Sequence, residues 1–524
     1  MVSGCFSGSS GGNNRITNKP IDTEPSNMVH LGRDFSRRPD YRIMEPDFCC
    51  GGRACVPQPM RRGKTHPGRN GELTEQEMKL ARVAWKYFEN NYQPETGFVN
   101  AVNNYPSTTM WDTASYMAGM TAARELKIIP KEEFDLRMMK ILQSFQKLDL
   151  FRKELPNKAY HTKTGQKVNY ANKPGEIGFS ALDLGRLLIW FKIIKERYPE
   201  HSNAIDNAVL RWKYCNVVDA RGLMFGALVN SHKETQYVQE GRLGYEEYAA
   251  RGFQLWGFNT DLASQLEPYE VIPLEGVNIK YDARDPRLLH AHNYVVMESF
   301  TLEGIEFNWD YATDRDTNDL RHTDPYAADL AEAVFTAQVG RFCNTGILTA
   351  RTEHQLDKKP YFVYDTVYSD GYPWNTITEK GAYVPEFAAI ALKGAFTMWS
   401  VFNNEYTDLL YDTVSTLYDP KKGFYEGRYE NGSGVIKTFT ANNNGIILES
   451  LLHKVQGKLL KFSDRTSKWD QVISDQLKGR QACLPHQTCR GMDKSQCASI
   501  EYQNVEKENE YGRGLLSRVL RSGG

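Results

Sequence analysis

From residue 75 onward the chain alternates two kinds of apolar pattern. Residues 75–92 place Met78, Leu80, Ala81, Val83, Ala84, Tyr87 and Phe88 along one helical face, opposite charged positions. That stripe predicts a helix with one side in solvent. Residues 112–126 differ: Ala, Gly, Ser, Met and Tyr fill nearly every position, and polar residues stand only at the two ends. A helix apolar on most faces is buried on most faces. The alternation continues, with amphipathic helices predicted at 131–148, 203–218, 325–342 and 404–417. Mostly apolar helices are predicted at 178–194, 247–258, 384–402 and 442–455. Residues 298–307 read as one further inner helix whose outer partner has no clear pattern. Such an order predicts two concentric layers, with apolar helices inside and amphipathic ones outside.

Three amphipathic segments run into a similar turn: Pro94-Glu95-Thr96-Gly97-Phe98, Asp219-Ala220-Arg221-Gly222-Leu223 and Asp419-Pro420-Lys421-Lys422-Gly423-Phe424. Glycine there supplies a left-handed turn, and the apolar residue after it starts a short hairpin. The unequal spacing excludes a solenoid of fixed period. The expected fold is mainly α, an (α/α)6 toroid of six helical hairpins with short β-hairpins on one rim. Residues 1–73 read as a linker or arm, 74–457 as the toroid and 458–524 as a C-terminal tail.

Composition narrows the function classes. Of 524 residues, 40% are hydrophobic and 25% charged, an ordinary globular balance. A formal net charge of -1 gives no global field to recruit nucleic acid or an anionic membrane. The 29 Tyr and 9 Trp suit stacking on sugar rings as well as a large core. No apolar run of about 18 residues is present to span a bilayer. Val2-Ser3-Gly4-Cys5 reads like a bacterial lipoprotein cleavage site with a Gly/Ser-rich tether after it. A lipid anchor at Cys5 requires a charged and apolar leader ahead of Met1.

Cys49, Cys50 and Cys55 lie in the N-terminal arm and Cys483, Cys489 and Cys497 in the C-terminal tail. They are expected to staple weakly cored segments in an oxidising compartment. Cys215 and Cys343 stand in apolar helical contexts and read as buried free thiols. With no C-x-x-C pair, zinc is disfavoured. Localisation is therefore expected to be extracytoplasmic and bacterial: periplasmic, secreted, or tethered to the outer membrane.

The candidate chemistry gathers where the inner helices begin. Trp111-Asp112 opens the first, as a sugar platform beside a carboxylate or as part of a helix cap. Pro174-Gly175-Glu176 precedes the second, in which Asp183 either pairs with Arg186 or faces the cavity, because burial unpaired is costly. Tyr245-Glu246-Glu247-Tyr248 opens the third; successive acids point about 100° apart, and Glu247 is taken as the inward one. Then come His290-Ala291-His292 through Glu298, the loop with Trp374 and Glu379, and Asn442-Asn443-Asn444 at the last helix. A metal reading of His290 and His292 lacks a further clear ligand. The expected partner is an oligo- or polysaccharide, with no cofactor and no metal. Stacking on Trp111 and Trp374 is expected to bind it, so that Trp111→Ala weakens binding with little loss of stability.

The segments YPSTTMWDTASYMAGMTAARELKII, ANKPGEIGFSALDLGRLLI, GRLGYEEYAARGFQLWGF, YSDGYPWNTITEKG and LYDPKKGFYEGRYENG resemble, in order, the bacterial family called domain of unknown function 3131. The resemblance covers about residues 74 to 456. That family is similar to the glucoamylase-like toroids, which include endo-β-1,2-glucanases and the cyclising domain of cyclic β-glucan synthases. An Asn-Glu-Ala type motif at an inner helix there resembles Tyr245-Glu246-Glu247-Tyr248, which implies Glu247 as the matching acid; Glu246 stands in place of the Asn. The resemblance implies a fold and a substrate class rather than a reaction. The expectation is a glycoside hydrolase or transglycosylase with Glu247 as acid and Glu176 as base or nucleophile, Asp112 in reserve. Asp183, Tyr245, His292, Glu298, Trp374, Glu379 and Asn443 are expected to contact sugar. The alternative is a non-catalytic glycan-binding or assembly protein in polysaccharide export.

Overall fold

The computed structural model describes residues 68–266, 268–289, 291–315, 322–463, 465–475 and 483–485, with a short strand pair, Cys49–Cys50 and Arg53–Ala54. Its helices, in chain order, are α1 (Glu75–Asn91), α2 (Met110–Glu125), α3 (Lys131–Lys147), α4 (Ala181–Arg197), α5 (Ser202–Val209), α6 (Tyr245–Leu255) and α7 (Pro286–Leu289). They continue as α8 (Glu298–Phe307), α9 (Pro325–Thr345), α10 (Leu392–Val401), α11 (Glu405–Val414), α12 (Ala441–Gln456) and α13 (Lys468–Asp475).

The inner layer is α2, α4, α6, α8, α10 and α12. Each packs on the next, and α12 packs back on α2, so the ring closes. Small residues let the inner backbones approach: a Cβ on Gly252 of α6 would lie 2.0 Å from the Gly185 carbonyl oxygen of α4. Outside stand α1, α3, α5, α9 and α11, each with its apolar stripe turned inward. Between α6 and α8 a hairpin, Tyr269–Leu274 with Val277–Asp282, packs against α9 where an outer helix is expected. This explains why the sequence showed no outer partner for residues 298–307. The fold is the (α/α)6 toroid with short strand pairs.

The three glycine turns form as predicted, with φ of +78° at Gly97, +84° at Gly222 and +109° at Gly423. Each closes a narrow antiparallel pairing: Tyr92 with Val99, Val218 with Met224 and Tyr418 with Phe424.

Two helix expectations change. Residues 384–402 are helical only from Leu392, because Pro385–Phe387 forms a 3-10 turn and Ala389–Ala391 a strand paired with Gly427–Tyr429. An apolar run of that length does not distinguish strand from helix. In 203–218 the helix ends at Val209, and Cys215 lies in an exposed turn.

That placement overturns the cysteine reading. Cys215 is disulfide-bonded to Cys483, 268 residues away, and Cys343 is disulfide-bonded as well. Neither is a free thiol, and the staple at Cys483 joins the C-terminal segment to the ring rather than to another tail. Cys5, Cys55, Cys489 and Cys497 lie outside the described residues. The C-terminal segment also docks by packing: Trp469 of α13 is buried edge-on against Trp256, its ring N–H donating to the Trp256 carbonyl at 3.1 Å. Among the described residues, no helix is long and apolar enough to cross a membrane.

Candidate active site at the inner-helix rim

Four inner helices begin with one local motif. Thr109 caps α2 and Asp112 stands three residues on; Ser180 and Asp183 do the same in α4, and Thr440 and Asn443 in α12. In α6 the order is Gly244 then Glu247, whose Oε2 accepts the Gly244 N–H at 2.6 Å. The motif satisfies otherwise orphaned N–H groups, and outer helix α1 uses it too, through Thr74 and Glu77. Capping therefore accounts for the spacing. In the inner ring it also brings Asp112, Asp183 and Glu247 to one rim.

Beneath that rim a chain of buried charges runs along the ring axis. Glu298, at the first position of α8, accepts the Trp111 ring N–H and the Asn442 amide, each at 3.2 Å, and pairs with Lys393 of α10. Arg186 lies with its guanidinium 4.6 Å over Trp111, donates to Asn442 Oδ1 at 2.9 Å and approaches Glu449 at 3.7 Å. Asp183 therefore does not pair with Arg186. Below, Glu306 accepts from Tyr248 and Trp190, each at 2.7 Å, with the Glu449 carboxyl close by. Burial, then the neighbouring Glu306, pushes the Glu449 carboxyl well up.

Several rim carboxyls are also pushed up. For Asp183 the cause is burial, then the nearby Glu240, with Asp112 adding to it and Lys158 opposing. Burial raises Glu353 as well, with Glu298 adding to it; the Tyr245 hydroxyl donates to Glu353 and so does that of Thr352, at 2.9 Å. Glu426 is raised by burial against the pull of Lys393, and it accepts from Thr440 and from the Gln355 N–H at 3.2 Å. The rim thus carries buried carboxyls whose proton affinity is raised, Asp183 among them also engaged in capping.

The expected site residues divide. Trp111, Tyr245 and Glu298 meet at the ring centre, while Asp112, Asp183, Glu247 and Asn443 stand at the openings of their inner helices. Trp111 is fully buried, with Arg186 over its ring and Tyr245 and Tyr248 edge-on against it, so it is a core residue rather than a platform. Glu176 stands apart, half-exposed and ion-paired to Lys167 at 2.5 Å and Arg152 at 3.5 Å. Burial pushes its carboxyl up, but those two cations outweigh it and hold it below its ordinary range. Trp374 is half-buried under the Arg341 guanidinium at 4.7 Å. Glu379 is exposed, and its carbonyl meets His292. His292 spends its nitrogens on Asp370 and that carbonyl, and His290 lies outside the described residues. Glu246 is engaged by Gln239 and Arg284.

Glu240, Glu353, Lys393 and Glu426 were missed. Lys393, a lone cation in an apolar stretch, carried a usable signal, since its burial demands a carboxylate partner. Glu353 lies in a segment without periodicity and carried none.

The sequence matches, over residues 79–457, the model of a protein family of unknown function, DUF3131. The chain belongs to the DUF3131 family. No curated protein matches its sequence. Solved structures match this DUF3131 protein in fold. A glucoamylase candidate from Bacteroides fragilis superposes with a TM-score of 0.51 at 12% identity, over 74% of this chain and 94% of that one. The endo-β-1,2-glucanase of Chitinophaga pinensis, solved with sophorotriose and glucose, gives 0.50 at 12%, over 77% and 96%. A β-1,2-glucanase from Parabacteroides distasonis gives 0.51 at 11%, over 74% and 57%.

Proposed function

We propose that this chain is a glycoside hydrolase or transglycosylase acting on a bacterial β-glucan through carboxyls at the inner-helix rim. The observation that carries the reading is the placement of Asp112, Asp183 and Glu247 at the same turn of three successive inner helices, beside buried carboxyls whose proton affinity is raised. Glycosidic cleavage needs one carboxyl that gives a proton to the leaving oxygen and another that activates water or attacks carbon. Glu247 takes the first role, because at 8% exposure it is the rim acid most open to a ligand; Asp112 and Asp183 are 2% exposed. Asp112, two inner helices away, takes the second, and Glu176, held by Lys167 and Arg152 outside the group, is set aside.

The substrate class is drawn from the structural neighbours, two of which are β-1,2-glucanases by name. The test is incubation with linear β-1,2-glucan beside β-1,3-, β-1,4- and β-1,6-glucans, reading new reducing ends and chain rearrangement. A second reading, a glycan-binding or assembly protein without turnover, is favoured by the same carboxyls being engaged as helix caps. Saturable glucan binding with neither new ends nor rearranged chains supports that second reading. An extracytoplasmic location, with or without a lipid at Cys5, accords with the Cys215–Cys483 disulfide; labelling of the native protein with radioactive palmitate tests the anchor.

A further inference from the structure

Both ring nitrogens of His292 face acceptors. Nδ1 lies 2.6 Å from Asp370 Oδ2, and Nε2 lies 3.2 Å from the backbone carbonyl oxygen of Glu379. A neutral imidazole has one N–H and one lone pair, so it satisfies one of these acceptors and turns a lone pair toward the other. The imidazolium donates to both. From this geometry we infer that His292 is a pH-dependent latch, fastening the 378–382 turn to the rim as a cation and releasing it on losing its proton.

The two sides of the latch are held unequally. Asp370 is fixed by its own N–H, which donates to Asn293 Oδ1 at 2.8 Å. The hairpin that carries it is tied to the approach to α8, where the Val295 N–H donates to the Tyr368 carbonyl at 2.7 Å. The His292 carbonyl accepts from Arg242 Nε at 3.2 Å. In the turn, by contrast, the Thr378 and Gly381 N–H groups bond within it, as do those of Lys380 and Ala382 to the Thr378 hydroxyl. The Nε2 bond from His292 is its outward tie among the described hydrogen bonds. Gly381 makes the seat possible: it has φ of +77°, and a Cβ there would lie 3.1 Å from His292 Cε1. The imidazole also meets Tyr364, which stacks at 4.8 Å on Tyr294, itself edge-on to Tyr245. The latch is thus built onto the aromatic residues that lead to Tyr245 at the opening of α6.

The groups around the ring set the sign. Partial burial disfavours the charged imidazole, and Arg242 adds to that; the Asp370 carboxylate and the Glu379 carbonyl outweigh both, so the proton is held above the ordinary histidine range. The Tyr364 ring is beside it, and the Glu379 and Lys380 side chains of the turn are exposed. A histidine raised in the folded state gives stability that is complete below its unfolded value of about 6.5 and is lost as pH rises through the folded value. The latch is therefore closed in mild acid and open in alkali.

Hydrogen–deuterium exchange of the full chain at about pH 5 and about pH 9, corrected for intrinsic exchange, tests this without any substrate. Residues 378–382 should lose protection severalfold at the higher pH, because the tie from His292 to the Glu379 carbonyl goes with the proton. His292→Gln, which cannot titrate, should abolish that dependence. In a proton NMR titration His292 should titrate above about 6.5, and Asp370→Asn should lower it. Equal protection at both pH values, a pH dependence that survives His292→Gln, or titration of His292 at or below the ordinary value would overturn the latch.

Discussion

The ring N–H of Trp111 donates to Glu298 Oε1 at 3.2 Å, a bond that spans the ring axis, because α2 and α8 stand opposite one another. Arg186 from α4 covers the same indole, and Asn442 from α12 bonds both Arg186 and Glu298. Trp111, Arg186, Glu298 and Asn442 thereby tie four of the six inner helices together.

Trp111→Ala should therefore cost about 3–5 kcal/mol of stability, the scale of truncating a buried aromatic residue. It would also leave Glu298 and Arg186 short of a partner. Denaturant unfolding of the variant beside wild type checks this. A loss within a few tenths of a kcal/mol would mean that the indole is not part of the core.

Sequence and structure part company at this residue for a physical reason. Burial of the inner helices was legible from their lack of a polar face, and the turns after three outer helices from Gly97, Gly222 and Gly423. Polar contacts between residues 144 to 327 positions apart, such as Asn442 with Glu298 or Ser115 with Asn442, leave no local pattern. A Trp beside an Asp at a helix opening reads the same whether it faces a ligand or a buried glutamate. Glu176 was misplaced similarly: its place just before an inner helix reads as part of the rim, but Lys167, nine residues earlier, holds it in an ion pair.

Glu430 offers a test of the buried ion pairs. Arg341 and Arg351 each approach it at 2.8 Å; although burial opposes its charge, they hold its carboxyl down at about 2. A carboxyl lowered on folding gives stability that is complete above its unfolded value of about 4.3 and is lost as pH falls through about 2. Glu430→Gln leaves the buried Arg341 guanidinium without its counter-charge and Arg351 with Asp365 alone, at 2.9 Å, and should cost about 3–5 kcal/mol at neutral pH. The deficit should shrink toward acid pH, which thermal melts of both proteins between about pH 7 and about pH 3 check. A deficit independent of pH would place the cost in packing instead.

The Cys215–Cys483 bond closes a long loop and holds the C-terminal segment beside α13. Cys215→Ser should lower stability by about 2–4 kcal/mol, mainly by freeing the unfolded chain. Residues 468–475 should become more open to proteolysis, while the ring keeps its helical content. Peptide mapping without reductant should recover the linked pair, and recovery of two free thiols from protein of the native compartment would remove it.

The central claim is that rim carboxyls, and Glu247 above all, perform glycan chemistry. Its most direct test is the rate of glycosidic bond cleavage or exchange on the glucan that wild type accepts, measured for Glu247→Gln with Glu246→Gln as control. Glutamine keeps the shape and the N–H contact to Gly244 but has no proton to give. The account predicts a fall on the order of 100-fold or more for Glu247→Gln with glucan binding retained, and a much smaller change for Glu246→Gln. Wild-type turnover that Glu247→Gln leaves unchanged would contradict it.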